Sequence, residues 1–177
     1  MKEIVKVYVN ENRDDSVEVT LAEQGESARI VAFYVGECHL NLDYKIIHEA
    51  PDTTSEIYTY GILDGASEKN LTMTIDFKRG SAGSEGSEKE EVVLLSNNAK
   101  SHTKPLIYCG EEKVHGVHGA SVGHLNEREV SYLMSRGIDE KAAREMLVRA
   151  KIVAGLNKIV DQKMRADAER KLKEFLR

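Results

Sequence analysis

The chain has 177 residues, a formal net charge of −5, two cysteines and no tryptophan, and 41% of its residues are apolar. This length and composition suit one globular domain and exclude a disordered polymer. A disulfide framework and a transmembrane span are also excluded, because the cysteines are too few and no apolar run is long enough. The N-terminus lacks the apolar stretch of a signal peptide, so we expect a cytoplasmic protein with reduced thiols.

The charges are distributed unevenly along the chain. Residues 1–124 contain 12 Lys and Arg against 21 Asp and Glu, whereas residues 125–177 contain 13 against 9. An acidic body lacks the cationic face that phosphate binding requires. In the basic part the charges alternate in sign, as on an ordinary solvated helix. We therefore expect neither nucleic acid nor a membrane as a partner.

Apolar and polar residues alternate from the N-terminus to about residue 118, and this period of two predicts β-strands. The clearest runs are residues 5–9, 17–21, 30–34, 40–46, 58–62 and 71–77, with less regular ones at 93–95 and 106–108. Turn-forming residues, among them Asn97 and Asn98, separate the runs. The pattern predicts an all-β body over residues 1–124.

This spacing of strands fits a sandwich, a barrel or a short β-solenoid. Two observations favour the solenoid. Tight hairpin signals are nearly absent, with Asp64-Gly65 as the one good example. Every run alternates, as expected when stacked coils each bury an interior row. No repeat is visible as self-similarity, so the pattern alone leaves the three architectures open.

Residues 80–91 (GSAGSEGSEKEE) are rich in Gly, Ser and Glu. This composition predicts an exposed, flexible connection between two strands of the β body. The adjacent carboxylates Glu90-Glu91 and Glu111-Glu112 would point apart on a strand, and we interpret both pairs as solvated.

The period becomes helical after Gly123. Asn126 with Glu129 resembles a capping box, in which a side-chain acceptor binds a free amide of the first turn. The sequence predicts a helix over residues 127–136 that stops at a left-handed Gly137.

A second helix is predicted to begin after Asp139, which would cap it. Its predicted apolar stripe consists of Ala143, Met146, Leu147, Ala150 and Val153. Gly155 is predicted to interrupt the helix, after which a further apolar stripe reaches Phe175. Residues 125–177 are thus a helical region that follows the β body.

The chain contains no phosphate-binding glycine loop, no Gly-x-Ser-x-Gly and no Cys-x-x-Cys, so we expect no enzymatic activity. One thiol and three imidazoles do fall between Cys109 and His124. Thiolate and imidazole suit zinc, iron and copper, but the spacing matches no structural zinc pattern. On a strand, His115 and His118 would face opposite sides. Cys109, His115 and His118 are candidate metal ligands, with structural roles as the alternative, and Cys38 is interpreted as a buried thiol.

The stretch from His115 to Ile138 resembles a family signature. It contains His118-Gly-Ala-Ser, then Tyr132-Leu, then Arg136-Gly-Ile. This order is similar to that of the SufB/SufD family, the core proteins of the SUF iron–sulfur cluster assembly machinery. Further family-like segments occur upstream at 61–67, 94–96 and 103–105. The resemblance covers about residues 40–160 and identifies the chain as a short, SufD-like member.

This resemblance implies a right-handed parallel β-helix followed by a C-terminal helical domain. It implies pairing through the β-helix, with a second copy or a second family member, and docking of a SufC-like ABC ATPase through the helices. The candidate ATPase-facing residues are Tyr132, Leu133, Arg136, Gly137 and Ile138. The alternative is that these side chains only pack the helices on the β body.

The resemblance also bears on the site. His118 falls where SufD-type proteins carry a histidine implicated in cluster assembly at the dimer interface, which implies transient iron or an iron–sulfur cluster there. Gly119 follows it, as in the SufD type. Ala99 aligns with the sulfur-accepting cysteine of SufB proteins, so thiolate chemistry is excluded at that position. That departure favours the rival hypothesis of a structural β-helix adaptor without metal chemistry.

Overall fold

The computed structural model describes residues 1–176, which form nine strands, three α-helices and a final 3-10 turn. The strands are β1 (Lys2–Val9), β2 (Asn12–Leu21), β3 (Ser27–Gly36), β4 (His39–His48), β5 (Thr54–Leu63), β6 (Glu68–Phe77), β7 (Glu85–Leu94), β8 (Lys100–Cys109) and β9 (His115–Gly123). The helices are α1 (Glu127–Ser135), α2 (Glu140–Leu156) and α3 (Gln162–Lys171), and the 3-10 turn is Lys173–Phe175. Within these residues, no helix has the length and apolar character needed to cross a membrane.

The strands form two parallel sheets, ordered β1-β3-β5-β7-β9 and β2-β4-β6-β8. Each strand pairs with the strand two places further along, so the chain passes between the sheets and winds in coils. Lys2 is in register with Ala28 and Glu68 with Lys100, so one coil takes 26 to 32 residues. The predicted parallel β-helix is confirmed. Hairpin-built sandwiches and barrels are excluded, because every strand pair is parallel.

The main core lies between the two sheets. In the first coils the inward positions are apolar, and Ile30 and Ile57 of one sheet share a buried cluster with Leu42 and Met73 of the other. Each buried side chain of this size contributes about 1.5–3 kcal/mol. A slip of one residue in register would turn this entire set outward, so the alternating pattern holds the strands in place.

A second buried cluster joins the outer face of β3 and β5 to the helices. The rings of Phe33 and Tyr60 stack with centroids 5.8 Å apart. At Gly155 an added Cβ would lie 2.5 Å from the Phe33 ring and 2.6 Å from the Tyr60 ring. The prediction that Gly155 interrupts the helix is wrong: α2 continues to Leu156, and the missing side chain allows the helix to approach the sheet closely.

The predicted apolar stripe of α2 is only partly correct. Ala143 is buried, but Met146 and Val153 are exposed, and Ile152 is buried instead. Ala143 and Ile152 are nine residues apart and so lie on opposite sides of the helix. The two halves of α2 therefore bury different faces, which a single stripe cannot describe.

The predicted helix caps are confirmed. The Asn126 side chain accepts a hydrogen bond from the Arg128 amide, and that of Asp139 accepts one from the Ala142 amide. Gly137 has a φ of +88°, the left-handed conformation expected of a helix stop.

The prediction of a flexible, exposed segment at residues 80–91 is wrong. Residues from Glu85 onward belong to β7, which lies between β5 and β9. In the preceding turn Ser84 is buried, and its hydroxyl accepts a hydrogen bond of 3.0 Å from the Thr53 amide. Glu90, interpreted above as solvated, is buried as well. The alternation of apolar and polar residues did not reveal this strand, because several of its inward positions are polar.

Candidate functional site

The β-helix ends at β8 and β9, each of which pairs with a strand on one side only. We call the inward positions of these two strands the open end. His118 and Ala120 are exposed there and Val122 is 44% exposed, whereas Val92, in register with Val122 on β7, is buried. A free strand edge also presents unpaired N–H and C=O groups. The open end is therefore accessible to a ligand or to a partner chain.

His118 lies on the inward side of β9. At Gly116, two residues earlier, an added Cβ would contact the core side chains of Ile107 and Phe77, and residues two apart on a strand share a face. The register of the sheet places Glu88 of β7 directly beside His118. The two side chains thus belong to adjacent strands and to the same face.

Glu88 is fully buried, and neither of its carboxyl oxygens has a hydrogen-bond partner. Burial raises the pKa of Glu88 from 4.5 to about 8. The nearby Leu106 amide opposes this rise in part. An unpaired buried polar group costs about 1–3 kcal/mol. Nothing in the packing of the fold explains why a carboxyl occupies this position.

Glu90, the next inward residue of β7, is also buried but is fully paired. Its carboxylate lies 2.6 Å from the Lys69 ammonium and accepts hydrogen bonds from the hydroxyls of Tyr34 and Thr103. Burial lowers the pKa of Lys69, and the charge of Glu90 opposes this effect. This cluster is a satisfied polar network, in contrast to the unpaired Glu88.

The other candidate ligands lie apart from His118. His115 is exposed and pairs in register with Glu85, at the start of both strands, and Cys109 is exposed at the end of β8. The expectation that His115 and His118 face opposite sides agrees with this arrangement. Throughout residues 1–176, no three His, Cys, Asp or Glu side chains form a group that could hold a metal ion.

Cys38 and Ala99, two further positions considered in the sequence, are both buried in the fold. Cys38 is buried, its thiol lies 3.5 Å from the Val35 carbonyl oxygen, and burial raises the pKa of the thiol. Such a thiol stays protonated and unreactive, as interpreted from the sequence. Ala99 is buried in the turn before β8.

The residues predicted to face an ATPase lie on α1 and in the turn after it. Tyr132 is 59% exposed, and the Arg136 guanidinium lies 5.3 Å from the centre of its ring. Gly137 is exposed, whereas Leu133 and Ile138 are half-buried. Packing of the helices thus accounts for Leu133 and Ile138 better than for Tyr132.

A groove of about 980 Å³ lies next to this surface, between the first half of α2 and the turn after β7. Its apolar lining residues are Leu94, Leu95, Leu125, Val148 and Phe175, and its charged ones are Glu127, Glu140, Lys141, Arg144, Glu145 and Glu174. The Arg144 guanidinium binds the carboxylates of both Glu127 and Glu140, at 2.9 Å each. The remaining charged residues of the rim are Lys141, Glu145 and Glu174.

Sequence reasoning missed Glu88, Glu90 and Lys69. One signal was present in the sequence. The even-numbered residues of β7, from Gly86 to Leu94, share one face of the strand, and the last two of them, Val92 and Leu94, are apolar. Extending that alternation backwards would have placed both carboxylates on the inward face.

Comparison with known proteins fits this architecture. Residues 10–151 match a family model described as the SufBD core domain of SUF system FeS cluster assembly. Iron–sulfur cluster assembly SufBD family proteins of Mycobacterium tuberculosis and Mycobacterium leprae are 32% and 31% identical to the chain over 119 residues. One of Staphylococcus aureus is 28% identical over 131 residues.

These alignments cover 67% of the chain for the two mycobacterial proteins and 73% for the staphylococcal one. The fold and the matched segment together define a parallel β-helix protein of the iron–sulfur assembly type. The chain belongs to the SufBD family. The matched part amounts to 14% of each mycobacterial relative and 28% of the staphylococcal one, so the chain spans only a small part of their length.

Proposed function

We propose that this protein is a non-enzymatic subunit of a SUF-type iron–sulfur cluster assembly complex. It pairs through the open end of its β-helix and docks a SufC-like ABC ATPase through its helices. The observation that carries this proposal is the extent of the family match, which runs from β2 into α2 and so includes both surfaces.

Pairing at the open end is supported by its exposure. Val122 would be a core residue if another coil followed, yet 44% of it is exposed. Covering this end with a second β-helix buries apolar surface and supplies partners for the free edges of β8 and β9. The occupant is a second copy of the chain or a second member of the family.

ATPase docking is supported by the apolar residues that the helices leave exposed. Tyr132 and Met134 of α1 and Met146 of α2 are each between 45% and 59% exposed. Aromatic and methionine side chains of this kind are enriched at protein interfaces. The short linker around Gly137 joins two capped helices, so the surface can transmit movement of a nucleotide-driven partner to the β body.

Iron or an iron–sulfur cluster is the proposed cargo, with His118 as the ligand at the open end. Imidazole is a good ligand for iron, and an exposed position allows the cargo to enter and leave. His115 and Cys109 remain further candidates, since both are exposed near the same end of the molecule.

The test is complex formation with a SufC-like ATPase, measured by size-exclusion chromatography with light scattering. We expect co-elution at tens of micromolar, with Tyr132→Ser weakening the complex about tenfold. Met164→Ser on α3, which removes a side chain that is also exposed, serves as the control and should bind normally. Separate elution of the two wild-type proteins, with and without ATP, would contradict the proposal.

A second candidate function is a structural β-helix adaptor without metal chemistry. It is favoured by the buried Ala99 in place of a thiol and by the lack of a three-ligand group in residues 1–176. Metal analysis of protein purified without oxygen separates the two functions: iron bound at the open end supports assembly, and metal-free protein supports the adaptor.

A further inference from the structure

We propose that four charged residues form a polar cap on the first coil of the β-helix, which consists of β1 and β2, and that this cap prevents a second copy from stacking its open end there. The residues are Lys2, Lys6, Arg13 and Asp15. The cap goes beyond the proposed function, because it concerns the end of the β-helix that lies opposite the open end. It rests on the proposed pairing only for the contact between two open ends.

Both ends of the β-helix have free strand edges. β1 and β2 each pair with a strand on one side only, as β8 and β9 do at the open end. All strand pairs are parallel, so β9 of one copy could pair with β1 of the next and continue the sheet. Free edges of this kind are templates for another chain. A head-to-tail contact that does not close into a ring adds copies without limit.

The register of the strands shows which residues of the first coil occupy inward positions. Eight residues of β3 and β4 belong to the buried core between the sheets: Ala28, Ile30, Ala32, Tyr34, Leu40, Leu42, Tyr44 and Ile46. Their register partners in β1 and β2 are Lys2, Ile4, Lys6, Tyr8, Arg13, Asp15, Val17 and Val19. Residues in register lie on the same face of a sheet. The four residues of the cap therefore occupy positions that are apolar in the second coil.

The centre of the cap is an ion pair between the two strands of the coil. The Lys6 ammonium lies 2.8 Å from the Asp15 carboxylate. The same carboxylate accepts hydrogen bonds from the Tyr8 hydroxyl, at 2.8 Å, and from the Ser16 amide, at 2.9 Å. The Tyr8 hydroxyl also lies 2.9 Å from that of Tyr44, in the second coil. These contacts fix the pair across the coil and join it to the core.

Stacking another coil on this pair would remove water that it needs. The side chain of Lys6 is 29% exposed and that of Asp15 is 15% exposed. Asp15 is the one hydrogen-bond partner of the Lys6 ammonium within residues 1–176, and because an ammonium has three N–H donors, water satisfies the others. Burying a charge is unfavourable unless hydrogen bonds replace the water. The buried pair of Lys69 and Glu90 has such replacements in two hydroxyl groups.

Lys2 and Arg13 add two further charges to the cap. The Lys2 ammonium lies 2.9 Å from the Glu26 carboxylate, and the Arg13 guanidinium lies 3.6 Å from that of Glu11. More than half of each basic side chain is exposed. Exposed ion pairs of this kind add little to stability, so the stability of the fold does not explain why charged residues occupy these inward positions. A covering coil would have to bury both side chains or displace them.

The open end lacks a comparable cap. The inward residues of β8 and β9 include no Asp, Glu, Lys or Arg; they are Ser101, Thr103, Pro105, Ile107, Cys109, Gly116, His118, Ala120 and Val122. Two open ends can therefore meet without burying such a charge. An open end that meets a first coil must instead desolvate four charged side chains. The cap thus restricts edge pairing to the open ends of two copies.

The experiment is sedimentation velocity of the full chain over a range of concentrations, with an uncapped variant as the comparison. This variant copies the second coil at all four positions and combines Lys2→Ala, Lys6→Ala, Arg13→Leu and Asp15→Leu. We expect it to form species heavier than two chains, in amounts that rise with concentration, whereas the wild type stops at two chains. Lys6→Asp combined with Asp15→Lys keeps a charged cap and should behave as the wild type does.

The matched control removes the same kinds of charge from the outside of the molecule. It combines Glu18→Leu and Lys45→Ala, an outward ion pair of β2 and β4, with Arg149→Leu and Lys163→Ala at exposed helix positions. We expect no species heavier than two chains in this control. Val122→Lys, added to the uncapped variant, should abolish the heavier species, because stacking uses the open end of the neighbouring copy.

Urea denaturation of each variant shows whether it is folded. If the uncapped variant is not, Lys2→Met, Lys6→Met, Arg13→Met and Asp15→Asn remove the same charges with less change in size, and the same heavier species are expected. A folded uncapped variant with the mass of the wild type at every concentration would overturn the cap. Heavier species in the wild type or in the control, or heavier species that persist with Val122→Lys, would also overturn it. If the wild type stays a single chain while the uncapped variant grows, the cap stands and the proposed pairing fails.

Discussion

Lys69 and Glu90 form an ion pair with no exposure to solvent. Desolvating two charges costs several kcal/mol per ion, and the pair is tolerated only because hydroxyl groups complete its hydrogen bonds. Tyr34 and Thr103 supply these groups, one from each sheet. This hydrogen-bonded cluster therefore links the two sheets in the last coils, where the core has few apolar side chains.

His48 is a second buried polar residue whose surroundings favour one charge state. Its two ring nitrogens lie 2.7 Å from the Thr53 hydroxyl and 2.8 Å from the Ser55 hydroxyl, and its ring lies 4.5 Å from that of Phe77. Burial lowers the pKa of His48 from 6.5 to about 4, and the charge of Asp76 opposes this shift. The folded protein thus holds a neutral imidazole at neutral pH.

His48 should consequently destabilise the folded state in mildly acidic solution, whereas the raised pKa of Glu88 has the opposite effect over this range. Between about pH 6.5 and pH 4 the unfolded chain binds a proton at His48 and the folded chain does not, so the free energy of unfolding decreases as the pH falls. At about pH 5 this amounts to roughly 2 kcal/mol. Urea denaturation of the wild type and of His48→Gln, which cannot titrate, at about pH 8 and about pH 5 measures it. Glu88 contributes equally to both proteins, so the change in unfolding free energy on acidification should be less favourable in the wild type by this amount.

Exposed His102 on β8 provides the control for this experiment. His102→Gln should keep the pH dependence of the wild type. If His48→Gln and the wild type lose the same free energy between the two pH values, His48 is not the titrating group.

At the scale of elements, the contact of α2 with the sheet depends on Gly155. Helix propensity alone predicts that Gly155→Ala stabilises the protein by about 1 kcal/mol. The added Cβ would instead meet the rings of Phe33 and Tyr60, and overpacking of this kind costs about 1–3 kcal/mol. We expect a net loss of up to about 2 kcal/mol, measured by urea denaturation.

Two companion variants make this prediction specific. Ala154→Gly, at the exposed neighbouring position, reports the propensity effect alone. Phe33→Leu combined with Gly155→Ala should recover part of the loss, because the smaller side chain leaves room for the methyl group. A more stable Gly155→Ala protein would mean that the helix does not approach the sheet as closely as described.

The elements also show where sequence patterns are informative. Alternation predicted the apolar strands, and the caps at Asn126 and Asp139 predicted two helix starts, because both signals are local. Strand β7 was misread, since its inward positions include Glu88 and Glu90, and the partners that satisfy Glu90 are distant in sequence. The exposed strand β9 carries too few buried apolar residues to show a pattern.

For the whole molecule, local patterns left sandwich, barrel and solenoid open, because the pairing of strands 26 to 32 residues apart is not encoded in any short window. The family resemblance decided the architecture, and the parallel sheets confirm it. The candidate site was predictable at His118, through its motif. Glu88 was not, because its significance lies in the partners that it lacks.

The surfaces proposed for pairing and for ATPase docking lie on different parts of the molecule. Hydrogen exchange of the chain at low and high concentration, and then mixed with a SufC-like ATPase, tests both most directly. We predict slower exchange in β9 when the chain pairs, slower exchange in α1 through Ile138 when the ATPase is added, and unchanged exchange in β4 and β6 in both cases. Protection confined to β4 and β6, or no protection at all in a confirmed complex, would contradict the assignment of these surfaces.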